Sequence, residues 1–523
     1  MVIISKRYKK YKFTNIEGRK IRMESYWIKS TKKKEFESLN DDIITDILVI
    51  GGGLTGITTA YYLAEEGKDV TVIERSRIGE HTSGNNTGKI TSQHGLFYNY
   101  LINSQSEEFA KKYYEANQKA IKEIKNIIHK KGIDCGFKTE NSYVFTNKIE
   151  EIENLKKEAE AVKKIGGKVR MVEKTEVPIQ MIGAIEFPEQ ASFNPKQYIN
   201  GLAEKVVENG GNIFEKTVAI KVEKDSKGYI TYLNNDKKIK SNIVVLATHY
   251  PIINIPGYYF MKMYQSMSYI IAIDPKEKLF DGMYINAELP TISLRPAKYK
   301  DEELLLIAGS DHKTGDKRDL SNSYSFLEKI AKEMYPNCEV KYKWNAEDCI
   351  SLDKIPYIGT FSSLMPDVYL GTGYNKWGIT LSNVAANIIT DKILGRENEY
   401  ADIFNSTRVE PVKNIEEVKN MLKETTYSLV LNKFNIPEET LKDVKKGEGK
   451  IVEVENKKIG IYKDENGKIF AIKPICSHLG CEISWNNLDK TWDCPCHGSR
   501  FNYKGECISE PAIKDLEVID INE

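Results

Sequence analysis

A chain of 523 residues is long enough for about three domains, which excludes a lone small binding module. Its 76 Lys+Arg balance 75 Asp+Glu to a formal charge of +1, so no field draws phosphate backbones and no nucleic-acid partner is expected. With 41% hydrophobic and 29% charged residues and no run of 18 apolar residues, the composition is that of an ordinary globular chain without a transmembrane segment.

The chain opens on a basic arm. Its first 22 residues hold eight basic residues and one acid, Glu17, and lack the apolar stretch of a secretory signal, so a cytoplasmic location is expected. Met23 begins a more ordinary start, and the codons for Glu17, Gly18 and Arg19 suit a purine-rich ribosome-binding stretch read as protein. The other reading is a solvated tail. Residues 1–42 are set apart as an N-terminal extension.

Asp46-Ile-Leu-Val-Ile-Gly51-Gly-Gly53-Leu54-Thr55-Gly56 predicts a short strand breaking into a glycine loop, and Ile57 to Glu66 continue as a helix that stops at Gly67. Gly51 permits the turn, Gly53 lets the backbone approach a pyrophosphate, and Gly56 lets the helix sit close to the strand. Asp69 to Ile73 predicts a second strand. It ends at Glu74, 18 residues after Gly56, where a carboxylate accepts bonds from ribose hydroxyls. Glu74 would repel a 2′-phosphate, which disfavours NADP, and Arg75 reads as an adenine or surface contact. A second fingerprint of this kind is missing, so one nucleotide site is expected.

Further along, Thr82-Ser83 and Lys89-Ile90 follow the nucleotide loop, Val218 lies in a strand-like run, and Ile243 to His249 is a buried strand ending in Ala247-Thr248. Gly371-Thr-Gly373-Tyr-Asn-Lys-Trp377-Gly378-Ile379-Thr380 is a glycine turn feeding a helix to about Leu394. Together these segments resemble the FAD-dependent amine and D-amino-acid oxidase superfamily, the group that includes glycine oxidase and D-amino-acid dehydrogenase, over roughly residues 43 to 400. The resemblance implies an α/β fold, in which a glutathione-reductase-like FAD-binding Rossmann domain (about 43–135, 190–257 and 346–400) carries a mixed-sheet substrate domain (about 136–189 and 258–345). It also implies non-covalent FAD, held by the residues just named, with no covalent link expected at His81. The helix after Gly378 would stabilise negative charge on the reduced ring.

Above the flavin, Arg295 is a candidate bidentate partner for a substrate carboxylate. His94, Tyr264, Tyr269, His312 and Lys376 are candidates for orienting substrate or handling protons, and His249 reads as support for a strand end.

Four of the eight cysteines fall within 21 residues near the C-terminus. Cys476-Ser-His478 and Cys494-Pro-Cys496-His497 each offer one thiolate and one imidazole. A zinc finger groups its cysteines before its histidines, so the spacing favours two facing loops that put both thiolates on one iron and both imidazoles on the other, the Rieske [2Fe-2S] arrangement. Residues of about 440 to 523 resemble the cytochrome bc-type Rieske proteins, a small all-β domain. The resemblance implies a disulfide between Cys481 and Cys496, a proline loop at Pro511-Ala512, and a Ser499 hydroxyl bonded to a bridging sulfide. Phe501 stands where high-potential members carry tyrosine, which sets an expected potential on the order of +50 to +200 mV. Cys135, Cys338, Cys349 and Cys507 read as packing thiols, and Trp485 and Trp492 as core rather than docking surface.

Residues 401–438 read as a linker with a helical stretch from Ile415 to Leu431, ahead of a Rieske domain at 439–523. The whole resembles bacterial FAD-dependent oxidoreductases with a C-terminal Rieske domain. The leading expectation is oxidation of a small amine or amino acid, with electrons passing from reduced flavin to the cluster and on to an external acceptor. The alternatives are electron flow from cluster to flavin, and a redox bridge or sensor without turnover. Oligomerisation is compatible with the composition.

Overall fold

A computed structural model describes residues 23–299, 302–316, 320–408, 440–455 and 457–520, with the backbone of a short ladder, Asn15–Ile16 against Arg19–Lys20. The linker helix expected at Ile415 to Leu431 lies outside the described residues, as do the side chains of the basic arm. Among the described residues no helix is long and apolar enough to cross a membrane.

The first strand, Ile43–Ile50, is flanked on both sides by parallel neighbours, Val70–Ile73 and Lys238–Leu246. Burial on both faces is why its second half is uniformly apolar. Asn212–Phe214 extends the sheet beyond Val70–Ile73, and Met365–Thr372 joins on the far side of Lys238–Leu246. Helix Leu54–Glu65 packs against helices Pro195–Glu208 and Gly378–Ile393. Helix Glu107–Lys131 shows its ends plainly in sequence. The Ser106 side chain accepts from the Phe109 N–H, two glutamates open it, His129, Lys130 and Lys131 close it, and Gly132 caps it at φ 64°.

The second sheet is mixed. Its strands run in the order Glu339–Ser351, Met263–Asp274, Glu302–Lys313, Ile292–Tyr299, Met283–Asn286, Lys138–Thr146, Gly183–Ser192 and Lys89–Ile90. Along Met263–Asp274 the side chains alternate. Met267, Tyr269, Ile271 and Ile273 pack under helix Ser323–Met334, whereas Ile270 and Ala272 face the opposite side with Tyr26 and Trp27. Ser25 to Trp27, inside the N-terminal extension, thereby becomes part of the core. Ser25 Oγ donates to the Gly84 carbonyl (2.6 Å) and Trp27 Nε1 to the Asn86 carbonyl (2.7 Å), pinning the segment that carries Thr82 and Ser83.

The C-terminal unit has a three-stranded sheet (Glu448–Val454, Lys457–Lys463, Ile469–Ile472) and a four-stranded sheet (Ser484–Asn486, Thr491–Asp493, Arg500–Asn502, Cys507–Ser509). It sits on the larger unit through close backbone approaches at two glycines, both with left-handed backbone. A Cβ on Gly315 would meet Pro495 N at 2.5 Å, and one on Gly498 would meet Gln265 Cβ at 2.4 Å. An Arg75–Glu510 ion pair (2.8 Å) and a bond from Ser484 Oγ to the Gly315 carbonyl (3.0 Å) cross the same boundary. Ser509 also bonds Glu347, whose carboxyl is pushed up to about 8 by burial and so holds a proton at neutral pH.

Candidate active site and iron-sulfur centre

A cavity of about 510 Å³ opens where the glycine loop, the end of strand Lys238–Leu246, the start of helix Gly378–Ile393 and the mixed sheet converge. Gly51, Gly53, Leu54, Thr55, Glu74, Arg75, Thr82, Ser83, Lys89, Val218, Ala247, Thr248, Gly373, Trp377, Gly378, Ile379 and Thr380 all line it. Two expected contacts stand behind the wall. Ile90 is buried, and Gly56 lies at the seam between helix and strand, where a Cβ would meet the Gly51 carbonyl oxygen at 1.9 Å.

The loop fits a dinucleotide. A Cβ on Gly51 would strike the Ala247 carbonyl oxygen at 2.3 Å, so only glycine allows this turn, at φ 115°. Helices Leu54–Glu65 and Gly378–Ile393 both begin at the cavity with no acidic residue in the first turn, so their N-terminal dipoles suit an anion, and Ser83 Oγ accepts from the Leu54 N–H (3.0 Å) at the first of them. Glu74 lines the cavity and accepts from the Gly52 N–H (2.8 Å), the Ser76 N–H (2.8 Å) and Ser76 Oγ (3.1 Å). Arg75 also lines the cavity, yet its guanidinium is spent on Glu510 and the Cys507 carbonyl, which makes it a strap between the two units.

The expected substrate groups divide. His94 and Lys376 line the cavity. Tyr113 and the Thr91 carbonyl engage both nitrogens of His94, its ring stacks on Trp377 at 4.8 Å, and burial pushes it down to about 3, so it is a neutral spacer. Lys376 Nζ pairs with Asp311 (2.8 Å) and donates to Ser268 Oγ (2.9 Å).

Arg295 does not reach the cavity. It is buried, donates to the carbonyls of Thr87 and Phe193, and stacks on Trp27 at 5.0 Å, so the expected carboxylate clamp is not offered to a ligand. Tyr269 and His312 stack on each other on the helix-covered face, and Tyr264 also stands outside the lining. Their strand neighbours Ser268 and Asp311 face the cavity instead, because one residue along a strand reverses the side.

Sequence reasoning missed Ser268, Asp311 and Asp348 as wall residues and undervalued His249, which lines the cavity as well. Burial pushes Asp348 up to about 6, with Lys376 opposing and Asp311 reinforcing the shift. Lys89 donates to the Tyr284 carbonyl and Ser293 Oγ (2.7 Å each), and burial, then the Arg295 charge, pushes it down to about 7.

In the C-terminal unit the loops carrying Cys476-Ser-His478 and Cys494-Pro-Cys496-His497 face each other. The rings of His478 and His497 lie 5.1 Å apart, edge to face. Their Nδ1 atoms are buried without a hydrogen-bond partner, a costly state that ligation to iron relieves. Cys481 and Cys496 are joined as a disulfide, with Cα atoms 6.6 Å apart, leaving Cys476 and Cys494 as the thiols of the pair of loops. A hydrogen bond shared with Cys494 holds the Cys476 thiol below the usual range and Cys494 above it, so the two share a proton that iron would displace. These four side chains would hold the cluster. Ser499 Oγ accepts from the Ala512 N–H (3.0 Å), which leaves its own hydrogen to donate. Cys135, Cys338 and Cys349 are buried free thiols, and Cys507 is half-buried.

Phe501 is fully buried on Arg500–Asn502 in the same core as Cys476 and Cys494. Phe501→Tyr is expected to raise the cluster potential in a redox titration, by about 40 mV if the hydroxyl supplies one bond worth about 1 kcal/mol. No rise would reject the account.

A nucleotide cavity roofed by a mixed sheet, beside a loop pair built for a two-iron cluster, defines a flavoprotein fused to an iron-sulfur domain. The chain belongs to the FAD dependent oxidoreductase family, whose model matches residues 46–392, and residues 436–520 match the Rieske [2Fe-2S] domain. It is therefore an oxidoreductase that carries FAD and a [2Fe-2S] cluster. Over 499 residues it is 35% identical to the Rieske 2Fe-2S iron-sulfur protein YhfW of Bacillus subtilis (strain 168), covering 95% of this chain and 98% of that one. Over 411 residues it is 26% identical to the OrdL oxidoreductase of Haemophilus influenzae (strain ATCC 51907 / DSM 11121 / KW20 / Rd), covering 75% and 92%. The crystal structure of glycine oxidase from Geobacillus kaustophilus superposes with a TM-score of 0.57 at 18% identity, covering 70% of this chain and all of that one.

Proposed function

We propose that the protein oxidises a small amine-bearing substrate in the 510 Å³ cavity and exports the electrons through the cluster to an external one-electron acceptor. FAD takes a hydride equivalent from a carbon next to nitrogen, and a Rieske cluster takes electrons singly at a potential above most flavins. The observation that carries the reading is that Glu510 and Ile513, flanking Pro511 in the iron-sulfur domain, form part of the wall of the flavin cavity. A cluster domain built into that wall supports direct exchange between the two sites, and fusion holds them at high effective concentration.

The polar wall supports a cation as substrate. Asp311 is paired with Lys376, and Asp348, on which the same Lys376 charge acts, lines the cavity beside them as the second carboxylate suited to an ammonium group. Anaerobic mixing with a panel of amines and amino acids, followed by flavin bleaching and the cluster spectrum, tests the reading. Bleaching by none would overturn it.

Asp348 attracts an ammonium only when ionised, so KM for a cationic amine is expected to rise as pH falls through about 6. Asp348→Asn should remove that limb and raise KM roughly tenfold to a hundredfold, the worth of a charged hydrogen bond of about 1.5–3 kcal/mol. Steady-state assays with a dye acceptor measure both, and an unchanged KM would put the amine elsewhere.

A further inference from the structure

Gln265 belongs to neither cofactor motif, yet it bonds across the boundary between the two units. It lies on Met263–Asp274, 1% exposed. Its Oε1 meets His249 Nε2 (3.2 Å), and its Nε2 donates to the carbonyls of His497 (3.2 Å) and Glu510 (2.6 Å). Gly498 packs directly on its Cβ. On the other side His249 lines the cavity, held at φ 66° with its carbonyl bonded by Thr372 Oγ1 and Cys349 Sγ. Burial pushes this imidazole down to about 4, so it is neutral and free to donate to Oε1.

One amide thus joins a cavity-wall ring to the backbone of an iron-binding loop. Two other links reach the iron-binding loops from beside the cavity: Ala512, between the wall residues Glu510 and Ile513, donates its N–H to Ser499 Oγ (3.0 Å), and Asn254, two residues from the wall residue Ile252, bonds His478 Nε2 (2.8 Å). Gln265 differs from these in that one side chain spans from a cavity-wall ring to the loop, whereas Ser484 bonds Gly315 and neither is in the cavity wall. Electronic coupling falls off more slowly through covalent and hydrogen-bonded atoms than across gaps, so a side chain bonded at both ends contributes to the coupling between the two sites.

We propose that Gln265, gripping His249 on one side and the His497 carbonyl on the other, is a positioning residue that completes an electron route between the flavin cavity and the cluster. The inference rests on the proposed exchange between the two sites. In each crossing one electron leaves the reduced flavin and one ferric iron becomes ferrous, with no protein bond made or broken. A second crossing follows once a one-electron acceptor has re-oxidised the iron.

The test uses the holoenzyme without substrate. Flavin is reduced anaerobically by a light flash with EDTA as donor, and reduction of the cluster is timed by absorbance and electron paramagnetic resonance. Gln265→Met, which keeps the volume and removes the hydrogen bonds, should slow cluster reduction several-fold, with FAD content and cluster potential unchanged. His249→Phe, which cuts the route from the cavity side, should slow it similarly. Ser484→Ala, which removes an interface bond off the route, should leave the rate alone. Wild-type rates in both route variants, or equal slowing in Ser484→Ala, would overturn the inference. A wild-type cluster that stays oxidised beside reduced flavin would overturn the exchange itself, and the inference with it.

Discussion

Cys494→Ser is expected to yield a protein with bound flavin but without iron or acid-labile sulfide, taking up one electron fewer per chain in a dithionite titration. Cys494 is buried at the hinge of its loop, where its N–H donates to the Ser499 carbonyl (2.8 Å) and its carbonyl accepts from Gly498 (2.9 Å). A serine fits that backbone but offers a hard, poorly ionised oxygen in place of a thiolate, and with one ligand gone the paired histidine Nδ1 atoms return to their unsatisfied state. Because ligand binding is folding free energy in so small a domain, its melting temperature should fall as well. The intact Cys481–Cys496 disulfide, a link typically worth about 2–4 kcal/mol, should keep the loops together. Cys135→Ser, at a buried thiol away from the loops, should retain the full cluster. Iron and sulfide at wild-type content in Cys494→Ser would remove Cys494 from the ligand set.

The parts of this molecule legible in its sequence are those whose chemistry is local. The glycine loop and the two Cys/His loops work through residues a few positions apart, so spacing alone carries the geometry. The mixed sheet of the roof was legible, but which of its side chains face the cavity was not, for a physical reason. Met263–Asp274 is buried on both faces, one under a helix and one toward the cavity and the N-terminal helix, so no polar alternation marks which side faces a ligand. Tyr269 and His312 are the residue types expected at an active site, and they lie one position from Ser268 and Asp311, which reach it. Arg295 misleads in another way. Its partners are main-chain carbonyls at Thr87 and Phe193, and no side-chain pattern announces a carbonyl. Gln265 left no signal either, being a neutral amide whose two carbonyl acceptors lie 232 and 245 positions away on a separate domain.

Gly56→Ala is expected to abolish FAD retention while leaving the cluster in place. The added methyl would meet the Gly51 carbonyl oxygen at 1.9 Å and Val49 Cγ1 at 3.2 Å. Neither can yield cheaply, since Gly51 is itself pinned with its own Cβ position against the Ala247 carbonyl, and Val49 is buried in the parallel sheet. Helix Leu54–Glu65 must therefore lift from the strand, and its first N–H groups lose their aim at the pyrophosphate. Overpacking of about 3 kcal/mol, charged against the bound geometry, corresponds to roughly a hundredfold in affinity. The variant should leave the column with the cluster spectrum and without the flavin bands, and FAD titration should give the ratio of dissociation constants. Gly67→Ala is the matched control. At φ +69° with nothing within 4 Å of its Cβ position, it should cost about 1 kcal/mol of stability for the left-handed backbone and leave FAD bound. Equal FAD content in Gly56→Ala and Gly67→Ala would show that the close approach of helix to strand is not what holds the nucleotide.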